Sequence, residues 1–150
     1  MNESLDNAIQ ELKRIDHLVF VSLKYTRTVD VIKNIITRVI NCFDFGLDTV
    51  LEYAKEKKMI EEIPISPVAK CELTKKIFAD NEELVKYVEF YSFLRVLDRS
   101  SYQRHLEYRR HVAMVVVMEG EVFHFGIDAM HEYYEKSKQY IEFIRSFIEK

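Results

Sequence analysis

Val112–Phe125 reads VAMVVVMEGEVFHF, and the reading of this stretch decides the fold. Its first half is a β-branched run far too short to cross a bilayer, Glu119-Gly120 is a turn signal, and Glu121–Phe125 alternates apolar with polar residues. Two short strands joined at Gly120, where glycine tolerates positive φ, fit that pattern. Everything around it points to helices. The 150 residues include only three glycines and two prolines, which argues against a many-stranded sandwich. A hydrophobic content of 48% with 31% charged residues describes a globular chain with one core of its own, not a disordered one. The expected class is mainly α. It is an antiparallel helical bundle of four long helices plus one short helix, a single domain over residues 1–150, with a small β-hairpin near 112–126.

Upstream, apolar residues recur at three- and four-residue steps. Leu5, Ala8, Leu12, Ile15, Val19 and Leu23 predict a first helix to about Tyr25, and Thr26 or Thr28 can cap the next. Ile32, Ile36, Val39, Phe43, Leu47, Val50 and Ala54 predict a second helix to about Lys58, with Gly46 marking a kink or a close helix crossing. Asp44 and Asp48 lie one turn apart beside that glycine and are expected on a solvated face. Ser66-Pro67 opens a short helix to about Ala79. Asp80 or Asn81 caps another, with Leu84, Tyr87, Tyr91 and Leu94 facing the core. Downstream of the hairpin, Asp128 is expected to cap a last helix with the stripe Met130, Tyr134, Ile141, Ile144 and Ile148.

Between the fourth of these helices and the hairpin lies Arg95–His111, RVLDRSSYQRHLEYRRH. It holds five of the nine arginines and two of the five histidines against two acids, Asp98 and Glu107, while the whole chain carries a net charge of −3. One basic, histidine-bearing segment in an acidic chain favours an anionic partner. If helical, the segment stacks Arg95, Arg99 and Tyr102 on one side and Arg104, Tyr108 and His111 on another. Arginine forks grip phosphate bidentately, histidine exchanges protons near neutral pH, and tyrosine stacks on exposed bases. These side chains suffice for metal-independent RNA cleavage.

Other chemistries are excluded by what is missing. The isolated glycines make neither a phosphate-cradling loop nor a dinucleotide fingerprint, and no G-x-S-x-G elbow occurs. Cys42 and Cys71 sit in helical patterns without metal or redox spacing, so they read as small hydrophobes of a reduced, cytoplasmic protein. Glu121/His124 and Asp128/His131 are two acid-x-x-His units that would share one side only on a continuous helix, so no metal site is assigned. The N-terminus is acidic and amphipathic, unlike a secretory signal, and no window is apolar enough to span a membrane. No cofactor is expected.

The segment FYSFLRVLDRSSYQRHLEYRRHV, followed after a spacer by DAMHEYYEKSKQYIEFIRSF, resembles the HEPN superfamily, small helical proteins that include many toxin ribonucleases. The resemblance implies as catalytic group an arginine, a polar residue such as Ser100, and a histidine separated from the arginine by four to six residues. Arg99 with His105 and Arg104 with His111 match that spacing. It also implies a homodimer that brings two motifs together. Arg95, Tyr102, Tyr108, Arg109 and Arg110 are then the expected nucleic-acid-binding residues, with RNA or a nucleotide as partner. The alternative from a different class is a non-catalytic interaction module whose segment 95–111 docks an acidic protein partner or nucleic acid.

Overall fold

The computed structural model describes residues 3–149, which are mainly helical with one three-stranded antiparallel sheet. Glu3–His17, Leu18–Ser22 and Leu23–Tyr25 run on as one helix, α1, whose middle segment is π-helical. That wider turn takes up an extra residue. Val19 and Leu23 stay buried, while Phe20 meets His131 and Tyr134 edge-on at 5.0 and 5.2 Å. Helix α2, Val29–Glu56, starts at Thr28, whose hydroxyl accepts from the Val31 N–H. It is the central element, packed against α1, the sheet and all three later helices. Its end is a Schellman motif: Met59 N–H bonds Ala54 O and Lys58 N–H bonds Lys55 O, with Lys58 at φ +64°.

Helix α3, Pro67–Ile77, begins with a Ser66 cap and proline at its first position, and α4, Glu82–Arg99, is capped by Asn81. Helix α5 is Ile127–Ile148. Gly46 is where α5 crosses α2 closely: a Cβ there would collide with Tyr140 and Ile144. The Tyr140 ring stacks on Phe43 at 4.0 Å and its hydroxyl donates to the Phe43 carbonyl at 2.9 Å. Asp44 and Asp48, expected on a solvated face, instead hold Lys70 of α3 at 3.7 and 2.7 Å, and the Tyr91 hydroxyl of α4 donates to Asp44. Burial opposes the Lys70 charge, but the Asp48 hydrogen bond and both carboxylates outweigh it and hold its pKa above the usual 10.5. Among the described residues no helix is long and apolar enough to cross a membrane.

The hairpin is present as β2, Ala113–Met118, and β3, Glu121–Gly126. Glu119 and Gly120 both take positive φ, +53° and +79°, the two-residue type I′ connection. The basic segment departs from the helical reading. Helix α4 stops at Arg99, where the Ser100 hydroxyl and N–H turn back onto Val96 O and Leu97 O. Tyr102–His105 then forms β1 and pairs with β2, Tyr102 opposite Val116 and His105 opposite Ala113. Met114, Val116 and Phe125 bury one face of the sheet, while Gln103, His105, Val117, Val122 and His124 are exposed on the other.

Candidate functional site

After β1 the chain makes a tight excursion, residues 106–112, that docks on the α1–α2 connection. The Glu107 carboxylate accepts the N–H of Val29 at 2.9 Å, an orphan donor at the start of α2. The Tyr108 N–H donates to Arg27 O at 2.6 Å, and two further bonds close the loop, Arg109 N–H to Leu106 O and Val112 N–H to Arg109 O. Leu106 and Tyr108 sit at φ +49° and +68°. For side chains of this size that backbone costs roughly 1–2 kcal/mol each, so the surrounding bonds must hold it.

This docking places Arg110 and His111 beside the outer face of the sheet. A groove of about 630 Å³ opens there, lined by Arg27, Arg110, His111, His105 of β1, His124 of β3, and Gly126 to Ala129 at the start of α5. The His105 and His124 rings meet edge-on with centroids 5.7 Å apart. No side chain caps α5, where Gly126 is the N-cap and Asp128 lies in the first turn, not at the capping position expected for it. Arg27 and Ile127 also line a smaller cavity of about 150 Å³, with Val19, Phe20, Leu23, Lys24 and His131. The Arg27 Nε is buried and has no hydrogen-bond partner among the described residues. Such a donor costs roughly 1–3 kcal/mol until an acceptor reaches it. Two guanidinium groups and three imidazoles thus face one carboxylate, Asp128. The arrangement suits an anion with several oxygens.

Of the residues singled out in the sequence, His105, His111 and Arg110 converge on this groove. The Arg104 guanidinium is elsewhere, 2.8 Å from Asp30 and 3.4 Å from Glu107. Arg99 ends α4 and is exposed, while Arg95 lies over the Tyr91 ring at 5.8 Å. Tyr102 is half-buried, with Lys33 and Arg104 over its ring at 5.4 and 5.8 Å. Tyr108 and Arg109 are exposed on the loop beside the groove. Arg27 and the role of His124 carry no signal in the linear sequence. His124 was visible only as half of an acid-x-x-His unit, and its partners His105 and Arg110 come from other elements. Glu121 and His124 lie on a strand and Asp128 and His131 on a helix, so those units do not share a helix side. Among the described residues no three His, Cys, Asp or Glu side chains converge as metal ligands.

A second groove of about 610 Å³ between α4 and α5 carries Glu83, Glu135 and Glu142 against one lysine, Lys138, over Tyr87, Phe143 and Phe147, a net acidic lining that disfavours anions. No protein-family profile, no curated protein and no solved structure matches this chain.

Proposed function

We propose that the groove at the start of α5 binds the phosphate groups of RNA or a nucleotide, on a HEPN-like helical scaffold that acts in the cytoplasm. The observation that carries this reading is the convergence of Arg27, Arg110, His105, His111 and His124 on one groove of a chain with net charge −3. Arg27 and Arg110 supply the forked donors that grip phosphate oxygens in pairs.

The His105–His124 contact favours a second reading, metal-independent cleavage of the RNA bound there. One imidazole takes the 2′-OH proton as that oxygen attacks phosphorus, and another protonates the departing 5′-oxygen. The products are a 2′,3′-cyclic phosphate and a 5′-OH. Because Arg104 is engaged by Asp30, phosphate stabilisation in this scheme falls to Arg27 and Arg110. The homodimer implied by the HEPN resemblance belongs to the same proposal, and the mass of the protein in solution tests it.

The primary test is fluorescence anisotropy with a short labelled single-stranded RNA, in EDTA, across a salt series. Arg110→Ala should weaken binding at every sequence and lower the salt slope by about 0.7, the share of one phosphate contact on a single strand. Equal affinity and slope for wild type and variant would remove the groove from consideration. Cleavage in the same mixtures, lost in His105→Ala and His124→Ala, would establish the second reading.

A further inference from the structure

Tyr102 and Tyr108 lie on the same basic segment, but only Tyr108 offers open ring faces. It is 76% exposed, whereas Tyr102 is half-buried between Lys33 and Arg104. Tyr25 is exposed to the same degree, yet Lys24 lies over its ring at 5.7 Å. The exposure of Tyr108 is built in. Its backbone is held at φ +68° by its N–H bond to Arg27 O and by the Glu107 carboxylate on the Val29 N–H. A strained conformation kept in place by bonds on both sides points to what it presents.

The position is as informative as the exposure. Tyr108 is bonded to Arg27 and stands two residues before Arg110, both of which line the groove. Two residues span at most about 7 Å of chain. A phosphate held at Arg110 therefore lies near the Tyr108 backbone, within a span that its own or the adjoining base can cover. Paired bases keep their faces inside the stack and cannot use such a platform, whereas unpaired ones can.

We infer that Tyr108 is a base-stacking platform that selects unpaired, single-stranded RNA over duplex and over bare phosphate at this groove. This rests on the groove binding phosphate, so the experiment separates the two. Anisotropy is measured for single-stranded RNA, for an abasic oligomer with the same phosphates and for a blunt duplex, using wild type, Tyr108→Asn, Tyr108→Phe and Arg110→Ala. Asparagine tolerates the left-handed backbone, which preserves the loop, and the thermal midpoint checks that it does.

Tyr108→Asn should weaken single-stranded RNA about 5- to 150-fold, the range supplied by one stacked base, and leave the abasic oligomer unchanged. Tyr108→Phe should restore binding, and wild type should prefer single strand to duplex. Tyr108→Trp, the only tryptophan in the chain, should lose fluorescence on adding single-stranded RNA but not the abasic oligomer. If Tyr108→Asn binds single strands like wild type while Arg110→Ala does not, stacking is wrong and phosphate binding stands. Equal loss on the abasic oligomer likewise overturns stacking, and no RNA binding by wild type overturns both.

Discussion

Glu119 occupies the first left-handed position of the β2–β3 turn at φ +53°, and only Gly120, at +79°, is a residue that adopts such a backbone freely. The type I′ turn prefers Asn-Gly, since asparagine enters this region at lower cost than a longer side chain. Glu119 is exposed, so no packing is lost on replacing it. Glu119→Asn should raise stability by roughly 0.5–1 kcal/mol, or about 1–4 °C in thermal midpoint for a domain of this size. An unchanged or lowered midpoint would mean that the turn is not strained at this residue. The turn itself was visible in Glu119-Gly120. The left-handed Leu106 and Tyr108 were not, because nothing in L-E-Y signals positive φ. Their conformation follows from bonds to Arg27 in the α1–α2 connection and Val29 at the start of α2, residues far away in the chain.

At the scale of elements, α2 and α5 approach as closely as Gly46 permits. Gly46→Ala tests this directly, because helix propensity alone would reward alanine by roughly 1 kcal/mol. The added methyl meets Ile144 and the Tyr140 ring, and that ring is itself locked by its stack on Phe43 and by its bond to the Phe43 carbonyl. Overpacking should win, with a net loss of roughly 1–3 kcal/mol in urea unfolding. A more stable variant would show that the crossing relaxes. The close crossing was one of two readings offered by that glycine, and the ring that fills it settles the choice. Lys70 shows the opposite case. Asp44 and Asp48 looked solvated because the ammonium that bridges them comes from another helix.

For the whole molecule, burial of ionisable neutral groups sets the alkaline limit. Burial, with Glu11 nearby, pushes the Cys42 thiol from 9.0 up to about 12. Tyr133 and Tyr134 rise from 10.0 to about 12, again through burial first, with Glu132 and the Asp16 hydrogen bond adding to it. In each case the folded state keeps its proton longer than the unfolded chain does. Their stabilisation is therefore complete below about pH 9 and is lost as pH rises from there towards 12. Between pH 8 and 10.5, Cys42 alone should remove about 2 kcal/mol, and Cys42→Ala should flatten the profile. Urea midpoints that stay level over that interval would show that the thiol ionises freely in the native state.

Apolar periodicity predicted the longer helices, because an amphipathic stripe records which side of a helix meets the core, whatever lies across from it, and the Ser66-Pro67 cap signal predicted the short one. The hairpin was legible for the same reason, in alternation and a turn signal. Arg95–His111 was legible only as charge. Its division into the end of α4, strand β1 and a docked loop depends on partners outside the segment, β2 for the strand and the Val29 N–H for Glu107. Sequence spacing paired Arg104 with His111, whereas the fold turns Arg104 to Asp30 and sets His111 beside Arg27, Arg110 and the histidines of two strands. A strand sends successive side chains to opposite faces, so neighbours such as Arg104 and His105 part company once β1 forms. The composition of the groove was written in the sequence, and its geometry came from packing between segments distant along the chain.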